Sequence, residues 1–389
     1  MLKNLLFILL PIGLFAQQAD KIHAKAIVVD SHNDILSASI EKKVSMDNDL
    51  KGRTHSDLLR FKQGGVAVQI FSVFCDGNQA NPYAFANREM DTLDAVIRRN
   101  PDKIALVRNS KELKKAVRDQ KLAAMFGVEG GHMIENNLDN LDKIYARGAR
   151  YMTLTWNNST SWATSALLET MKKDSLVNAH KGLTDFGKAV VRRMNELGMM
   201  VDVSHVGEQT FWDVINTTTK PVIASHSNAY KLCPIFRNLK DDQILAIGKN
   251  GGVIDLNFYA GFVDSTFRSK ELKFAATHAK ELDSLKKSGV QQDYALTIVS
   301  EKYAAEIQAS RPPLSMLLDH LDYIVKLIGV DHVGLGSDFD GISVAPQQLN
   351  DVTSYPLITK ALLDKGYSKK EVMKIMGGNI LRVLKANEQ

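Results

Sequence analysis

The stretch Ala26-Ile27-Val28-Val29-Asp30-Ser31-His32-Asn33-Asp34 decides how this chain is interpreted. Its apolar, mostly β-branched start predicts a short buried strand that runs directly into a His-x-Asp pair. Side chains two apart on an extended chain point the same way, so His32 and Asp34 can hold one ion together. Such a pair after a strand is by itself more often a hydrogen-bonded turn, and the rest of the chain must decide.

Seven further segments resemble this first strand, and helical patterns lie between most of them. The eight predicted strands are Ile27–Val29, Val66–Phe71, Ala123–Gly127, Tyr151–Leu154, Met199–Val203, Val222–Ala224, Val253–Leu256 and His332–Leu335. Strands that alternate with helices predict an α/β fold with parallel pairing through crossover connections. Eight such units in this length predict a (β/α)8 TIM-type barrel. A doubly wound open sheet is the alternative.

Four more of these strands end in a side chain that can bind a metal. Glu129 ends the third strand, His205 and His226 follow the fifth and sixth, and Asp338 follows the eighth. The C-terminal strand ends of a barrel converge on one face, where active sites lie. Each residue singly could cap a turn, but a ligand-type residue at five strand ends predicts a shared metal site.

The number of ligands exceeds what one catalytic zinc with an open position needs, which is three. The five residues are His32, Asp34, Glu129, His205 and His226, and they suit two metals that share Glu129 as a bridging carboxylate. Mixed imidazole and carboxylate ligands favour zinc, although manganese, cobalt or iron would fit as well. Two such ions would hold a hydroxide between them as the nucleophile. Asp338 is then left over to carry a proton.

One domain over residues 17–389 accounts for this pattern, because no linker or repeat divides the chain. The stretch 264–313 departs from the alternation: it is long, charged and helical in pattern, and Arg311-Pro312-Pro313 closes it. It is predicted to be a helical insertion before the last strand. A solvated surface is favoured for it over a flap across the mouth of the barrel.

The chain start predicts export. Residues 1–16 combine Lys3, an apolar run and a small residue, Ala16, before a polar stretch, as a cleaved signal peptide does. We therefore expect a soluble periplasmic or extracellular protein without a membrane span. The net charge of +5 is spread among interspersed lysines and glutamates, which argues against a nucleic-acid partner. The two cysteines, Cys75 and Cys233, are expected to be buried free thiols.

Several long motifs in this chain resemble the membrane (renal) dipeptidase family of dinuclear zinc peptidases, family M19. The matching stretches are Asp30-Ser31-His32-Asn33-Asp34, Gly127-Val128-Glu129-Gly130-Gly131-His132, Arg147-Gly148-Ala149-Arg150-Tyr151-Met152-Thr153-Leu154-Thr155, Val201-Asp202-Val203-Ser204-His205, Ala224-Ser225-His226-Ser227, Arg237-Asn238-Leu239 and Gly336-Ser337-Asp338-Phe339-Asp340-Gly341. They occur in order over nearly all of the chain that follows the predicted signal peptide.

The resemblance implies a metallo-dipeptidase that cleaves dipeptides with a free C-terminal carboxylate, with a D-residue at that end left open. It implies that His32 and Asp34 hold one zinc, that His205 and His226 hold the other, and that Glu129 bridges them. It also implies Asp338 as the general acid/base, Arg237 as the clamp on the substrate carboxylate, and a homodimer. An arginine suits that clamp because its planar fork meets a carboxylate with two hydrogen bonds.

The chain departs from the family pattern at Trp156, where vertebrate members carry a histidine that contacts the substrate. Tryptophan donates one hydrogen bond but cannot exchange a proton, so a changed substrate range is expected. Tyr259 is a further candidate for the pocket lining. Asn158 stands where the family's usual disulfide partner of Cys75 is expected.

Two other functions stay open. One is a related barrel amidohydrolase acting on N-acyl amino acids, and the other is a catalytically weak binding protein that keeps the metals. The remaining histidines, among them His23, His180 and His320, are expected at the surface, and His132 near the site but not as a ligand.

Overall fold

A parallel sheet forms the centre of the molecule. The computed structural model describes residues 12–172, 181–290 and 292–389. The strands are β1 Val28–Asn33, β2 Val66–Phe74, β3 Ile104–Leu106, β4 Leu122–Glu129, β5 Ala149–Thr153, β6 Met200–Asp202, β7 Ile223–Ala224, β8 Val253–Leu256 and β9 Val333–Leu335. Eight of them pair in the order β1-β2-β4-β5-β6-β7-β8-β9, and β3 pairs with β4 outside this path.

The two ends of this order meet, which makes a nearly closed barrel and not an open sheet. Asn33 at the end of β1 bridges to Phe339 beyond β9. The Asp34 amide donates to the Phe339 carbonyl at 2.9 Å, and the Asp338 amide donates to the His32 carbonyl at 3.0 Å. The predicted (β/α)8 barrel is confirmed, and the doubly wound sheet is excluded. β3 was missed because it is three residues long and pairs on one side with β4.

Helices surround the barrel and connect its strands. The α-helices span Ile12–His23, Ile35–Glu41, Leu58–Gln63, Pro82–Arg99, Ser110–Arg118, Leu138–Arg147, Ala166–Thr170, Asp185–Leu197, Glu208–Thr217, Asp241–Asn250, Ala260–Val263, Phe267–Thr277, Ala279–Lys287, Gln292–Lys302, Ala304–Gln308, Leu314–Ile328, Tyr355–Asp364, Lys369–Met373 and Asn379–Asn387. Short 3-10 turns occupy Gly131–Ile134, Val330–His332 and Val352–Ser354, and a π turn occupies Lys374–Gly378.

Local sequence explains where these helices begin and end. The helix Asp185–Leu197 starts where the Thr184 side chain accepts a hydrogen bond from the Gly187 amide. It stops at Gly198, whose φ of 82° is a left-handed conformation that favours glycine.

Strand residues alternate between two buried clusters, as the pleat requires. Val28, Phe126 and Met152 belong to the large cluster shared with the surrounding helices. Their neighbours in sequence, among them Val29, Met125 and Tyr151, belong to a second cluster, which we place inside the barrel.

The insertion before β9 has an exposed outer face, as its charge pattern favoured, and also a buried inner face. Its four helices, from Phe267 to Gln308, have a small core of their own with Ala260 and Val344. The insertion residues of this core are Phe267, Phe274, Leu282, Ala295, Val299 and Ile307. Charged and apolar residues are mixed along these helices without a clear apolar face, so the sequence did not predict this core.

The predicted signal peptide is largely outside the described part of the chain. Residues 1–11 are not described, and the helix Ile12–His23 begins within its last residues. Among the helices that are described, none is both long and apolar enough to cross a membrane.

Candidate metal centre and substrate cavity

The structure brings the five predicted ligands together around Glu129, which ends β4. One carboxylate oxygen, Oε1, lies 2.9 Å from His205 Nε2 and 3.5 Å from His226 Nε2. The other oxygen, Oε2, lies 3.3 Å from His32 Nε2. Asp34 Oδ2 lies 3.5 Å from the same nitrogen. Each carboxylate oxygen of Glu129 thus faces different imidazoles.

The chemistry of these atoms fits metal ions. His32, Glu129 and His226 present ligand atoms within 4.8 Å of one another, and so do His32, Asp34 and Asp338. His32 Nε2 and Asp34 Oδ1 are buried without a hydrogen-bond partner among the described residues. Such buried polar atoms are costly unless they bind a further group, and a cation between them would satisfy both.

Hydrogen bonds fix all three imidazoles from behind. His32 Nδ1 lies 2.7 Å from the Tyr151 hydroxyl, which donates its own hydrogen to the Ser31 carbonyl. His226 Nδ1 lies 2.8 Å from the Ser225 hydroxyl, whose hydrogen goes to Asp202 Oδ2 at 2.6 Å.

His205 Nδ1 lies 3.3 Å from Asn157 Oδ1, which can only accept. In each case the histidine nitrogen must be the donor, so the network assigns the hydrogen to Nδ1. All three Nε2 atoms therefore face the centre, and each offers a lone pair there when its imidazole is neutral.

The charge balance agrees with a cation at this place. Burial and the charge of Arg237 lower the pKa of His205 to about 4, so that imidazole is neutral at pH 7. Burial lowers the pKa of His32 too, but Tyr151, Glu129 and Asp34 outweigh it and hold that pKa well above its usual range. The carboxylates around His32 thus favour a positive charge on its side of the centre.

Asp338 lies at the edge of the cluster. Its Oδ2 accepts a hydrogen bond of 2.8 Å from the Asn257 amide, and its Oδ1 is 4.0 Å from His32 Nε2. Burial and the neighbouring carboxylate of Asp34 raise its pKa well above its usual range. Asp338 and His205 both have left-handed backbones, with φ of 61° and 63°. Non-glycine residues adopt this conformation rarely, and it often marks functional sites.

Arg237 lies in the loop after β7 and is buried. Its Nη2 donates to the His226 carbonyl at 3.3 Å, and its guanidinium carbon stands 5.2 Å from the centre of the Phe262 ring. Its Nε is buried without a hydrogen-bond partner among the described residues. Burial lowers its pKa to about 10, which leaves it charged at neutral pH. A buried cation with an unused donor is suited to an anionic ligand.

A cavity of about 420 Å³ joins these groups. Asp34, Glu129, His205, Asp338 and Arg237 line it, and so do Trp156 and Tyr259, which were predicted to contact the substrate or line the pocket. The Trp156 ring centre is 4.9 Å from that of Phe74 and 6.5 Å from that of His205. The cavity has the size of a small-molecule site.

Sequence reasoning missed the residues that support the site. Tyr151, Ser225 and Asp202 lie within quoted motifs, so a search for the partners of each histidine could have found Ser225 beside His226. Glu271, which lines the cavity from the insertion, carried no sequence signal.

Residues predicted not to bind metal give mixed outcomes. His132 Nε2 donates to the Cys75 carbonyl at 3.1 Å, away from the ligand cluster. Cys75 and Cys233 are free and buried, as predicted. His23 and His320, however, are buried and not at the surface, and His180 lies outside the described residues. Both buried imidazoles hydrogen bond across distant segments, which a local pattern cannot show.

A (β/α)8 barrel with such a centre at its strand ends defines a metal-dependent hydrolase class. Comparison with known proteins gives the family. The model of the membrane dipeptidases, peptidase family M19, matches residues 16–389. The chain belongs to this family and is a metallo-dipeptidase.

Individual relatives agree with this assignment. An uncharacterized dipeptidase of Schizosaccharomyces pombe, C965.12, is 33% identical over 94% of this chain and 81% of its own. The probable dipeptidase PvdM of Pseudomonas aeruginosa shares the fold, with a TM-score of 0.78 at 23% identity over 97% and 99% of the two chains. A Rhodobacter sphaeroides metallopeptidase, solved with a phosphinate mimic of L-Ala-D-Ala, has a TM-score of 0.72 at 24% identity over 93% and 100%.

Proposed function

We propose that the protein is a dinuclear zinc dipeptidase that requires a free C-terminal carboxylate on its substrate. The observation that carries the proposal is the position of Glu129, whose two oxygens face His32 on one side and His205 with His226 on the other. A carboxylate placed in this way is suited to bridge two ions. Zinc suits the mixed ligands best, and manganese, cobalt or iron fit the same set.

Under this proposal His32 and Asp34 hold one ion and His205 and His226 hold the other. When bound, a metal pair supplies an activated water and polarises the scissile carbonyl. The chain supplies the orientation: Tyr151, Ser225 and Asn157 keep the three imidazole Nε2 atoms aimed at the centre.

We assign Asp338 the role of general acid/base. The Asn257 amide holds one of its oxygens at 2.8 Å, which leaves Oδ1 to carry the proton that reaches the leaving amine. Its raised pKa suits a carboxyl that must be protonated for part of the reaction.

We assign Arg237 the role of clamp for the substrate's terminal carboxylate. It is buried, charged and lines the same cavity as the ligands. The dipeptide-mimic ligand of the Rhodobacter sphaeroides relative supports a dipeptide as the substrate and leaves a C-terminal D-residue open.

The deciding experiment compares free and C-terminally amidated dipeptides, of L-L and L-D configuration, with zinc-loaded protein. Chelated protein is the blank. A charge-assisted hydrogen bond contributes about 1.5–3 kcal/mol, so amidation is expected to reduce kcat/KM roughly ten- to a hundredfold. In Arg237→Gln this preference for the free acid should disappear. Arg193→Gln removes a guanidinium that pairs with Asp142 and does not line the cavity, so it is the control and should keep the preference.

Equal rates on free and amidated dipeptides would contradict the clamp and favour an amidohydrolase that acts on N-acyl amino acids. Metal-dependent binding of dipeptides without turnover would favour the weak binding protein. Export by a cleaved signal peptide and a homodimer stay predictions, which N-terminal sequencing of the mature protein and its mass in solution would test.

A further inference from the structure

The cavity above the metal centre has two walls of different origin. One is made by the loops that follow the barrel strands and carries the ligands, Trp156 and Arg237. The other comes from the insertion between β8 and β9. Its contributors are Arg268, Glu271, Ala275, Leu282, Lys286 and Leu296.

A buried carboxylate fastens this second wall to the barrel. Glu271 is 2% exposed, and it accepts hydrogen bonds from the Tyr259 hydroxyl and, at 3.1 Å, from Ser343. Tyr259 follows β8 and Ser343 follows β9, so the contact joins the insertion to two strand ends. Arg268 Nη1 lies 3.2 Å from the other Glu271 oxygen and balances its charge.

Three of the six insertion residues on the cavity are apolar and three are charged. Ala275, Leu282 and Leu296 present carbon, and the charge of Glu271 is taken up by Arg268 and two hydroxyls. Lys286 is exposed at the solvent side. Leu282 also packs in the insertion's own core, which holds this surface in place.

We propose that the insertion forms a side-chain subsite and selects dipeptides with a large apolar residue. The inference rests on the proposed dipeptidase function and adds the determinant of its specificity. Under the proposed function the metal ligands and Arg237 hold the peptide backbone, so a substrate side chain directed away from them can reach Ala275 and Leu296 on the same cavity. Contact with apolar residues of the wall removes a large apolar side chain from water, which favours binding of dipeptides that carry one.

The test is Ala275→Leu, which fills this subsite without removing a core residue, since Ala275 is part-buried on its helix. Its neighbour Ala276 is exposed and does not line the cavity, so Ala276→Leu is the matched control. Zinc-loaded enzymes are assayed on Ala-Ala, Phe-Ala, Ala-Phe and Ala-Glu. Lost room in an apolar pocket costs about 10–200-fold, so the kcat/KM ratio of a Phe-containing dipeptide to Ala-Ala should fall by that factor in Ala275→Leu.

The ratio should not change in Ala276→Leu. Whether Ala275→Leu lowers the rate on Phe-Ala or on Ala-Phe identifies which of the two substrate side chains enters the subsite. Equal losses on all four dipeptides, or no change in the ratio, would overturn the inference. A wild-type preference for Ala-Glu over both Phe dipeptides would also overturn it and point to Lys286.

If thermal unfolding shows that the Ala275→Leu variant is not folded, Leu296→Ala is tested instead. This change opens space in the same wall of the cavity. It should raise the ratio of kcat/KM for a Trp-containing dipeptide to kcat/KM for the corresponding Phe-containing dipeptide. An unchanged ratio would count against the subsite. A wild-type enzyme inactive on every dipeptide would instead refute the proposed function, so the two failures are distinguishable.

Discussion

At the scale of single residues, the side chains behind the predicted ligands set the orientation of the imidazoles. The Ser225 hydroxyl gives its one hydrogen to Asp202 and so can only accept from His226 Nδ1. This arrangement holds the His226 ring in one tautomer and one orientation. Supporting groups of this kind typically contribute 10–100-fold to metal affinity.

Ser225→Ala should therefore weaken metal binding on the His205 and His226 side by about 10–100-fold. Zinc competition with a chromophoric chelator measures this. Ser227→Ala, a buried serine that contacts Ser204 and not a histidine, is the control and should bind metal as the wild type does. Unchanged affinity in Ser225→Ala would show that the ring needs no such support.

Gly341 leaves room for two carboxylates. A Cβ at this position would lie 2.3 Å from Asp34 Oδ2 and 2.8 Å from Asp338 Oδ1. Gly341→Ala should push both groups from their places and lower metal content on the His32 side, as elemental analysis would show. Gly378→Ala, whose Cβ would come no nearer than 3.1 Å to another atom, is the control. Full metal content and activity in Gly341→Ala would contradict the placement of Asp34.

Asp338→Asn separates proton transfer from metal binding. The variant should keep the metal content of the wild type and lose turnover by about 10²–10⁴-fold, the usual contribution of a placed acid/base. Metal content and kcat are measured on the same sample. Loss of a metal would instead make Asp338 a ligand, which its closeness to His32 and Asp34 allows.

At the scale of elements, the strands and the polar residues at their ends could be predicted from the sequence. The side chains that hold those polar residues in place could not. Buried parallel strands are continuous apolar runs, and a polar residue directly after each run is a local signal. The partner of His32 is Tyr151, 119 residues away, and nothing local links the two. The insertion shows the same limit. Its charged, helical pattern predicted that it is a helical insertion, but the contact of Glu271 with two strand ends depends on the tertiary structure and has no local signal.

That contact makes a prediction about stability. Tyr259→Phe removes a donor from the buried carboxylate of Glu271, which should lower the free energy of unfolding by about 1–3 kcal/mol. Tyr323→Phe is the control, because its hydroxyl bonds the exposed Asp241 and its loss should change stability by less than about 0.5 kcal/mol. Denaturant unfolding of the metal-loaded proteins provides the comparison, and equal effects of the two changes would count against a buried anchor.

At the scale of the whole molecule, the barrel interior contains acids as well as apolar side chains. Asp255 on β8 is fully buried, and burial together with the carboxylates of Asp202 and Asp30 raises its pKa well above the usual range. A raised carboxyl pKa stabilises the fold below the unfolded pKa, near 4, and this contribution is lost as pH rises through the folded pKa.

In the Asp255→Asn variant the side chain at this position does not ionise, so its contribution to stability does not change with pH. The free energy of unfolding of the wild type minus that of the variant should therefore fall as pH rises from about 4 toward 8. Unfolding of metal-loaded protein at several pH values, at constant ionic strength, gives this difference. A difference that is constant or rises with pH would show that Asp255 is ionised without penalty.

The junction of β1 with β9 also ties activity to the completion of the chain. His32 and Asp34 come from one terminus and Asp338 from the other, and the amides of Asp338 and Asp34 make the hydrogen bonds that join them. Asp30 extends the junction by accepting from the Ser337 amide and hydroxyl. A nascent chain that has not yet emerged past residue 340 lacks this junction. Asp338 is then absent, and His32 and Asp34 lack the strand end that holds them, so ribosome-bound or C-terminally truncated chains should be inert toward peptides in the cell that makes them.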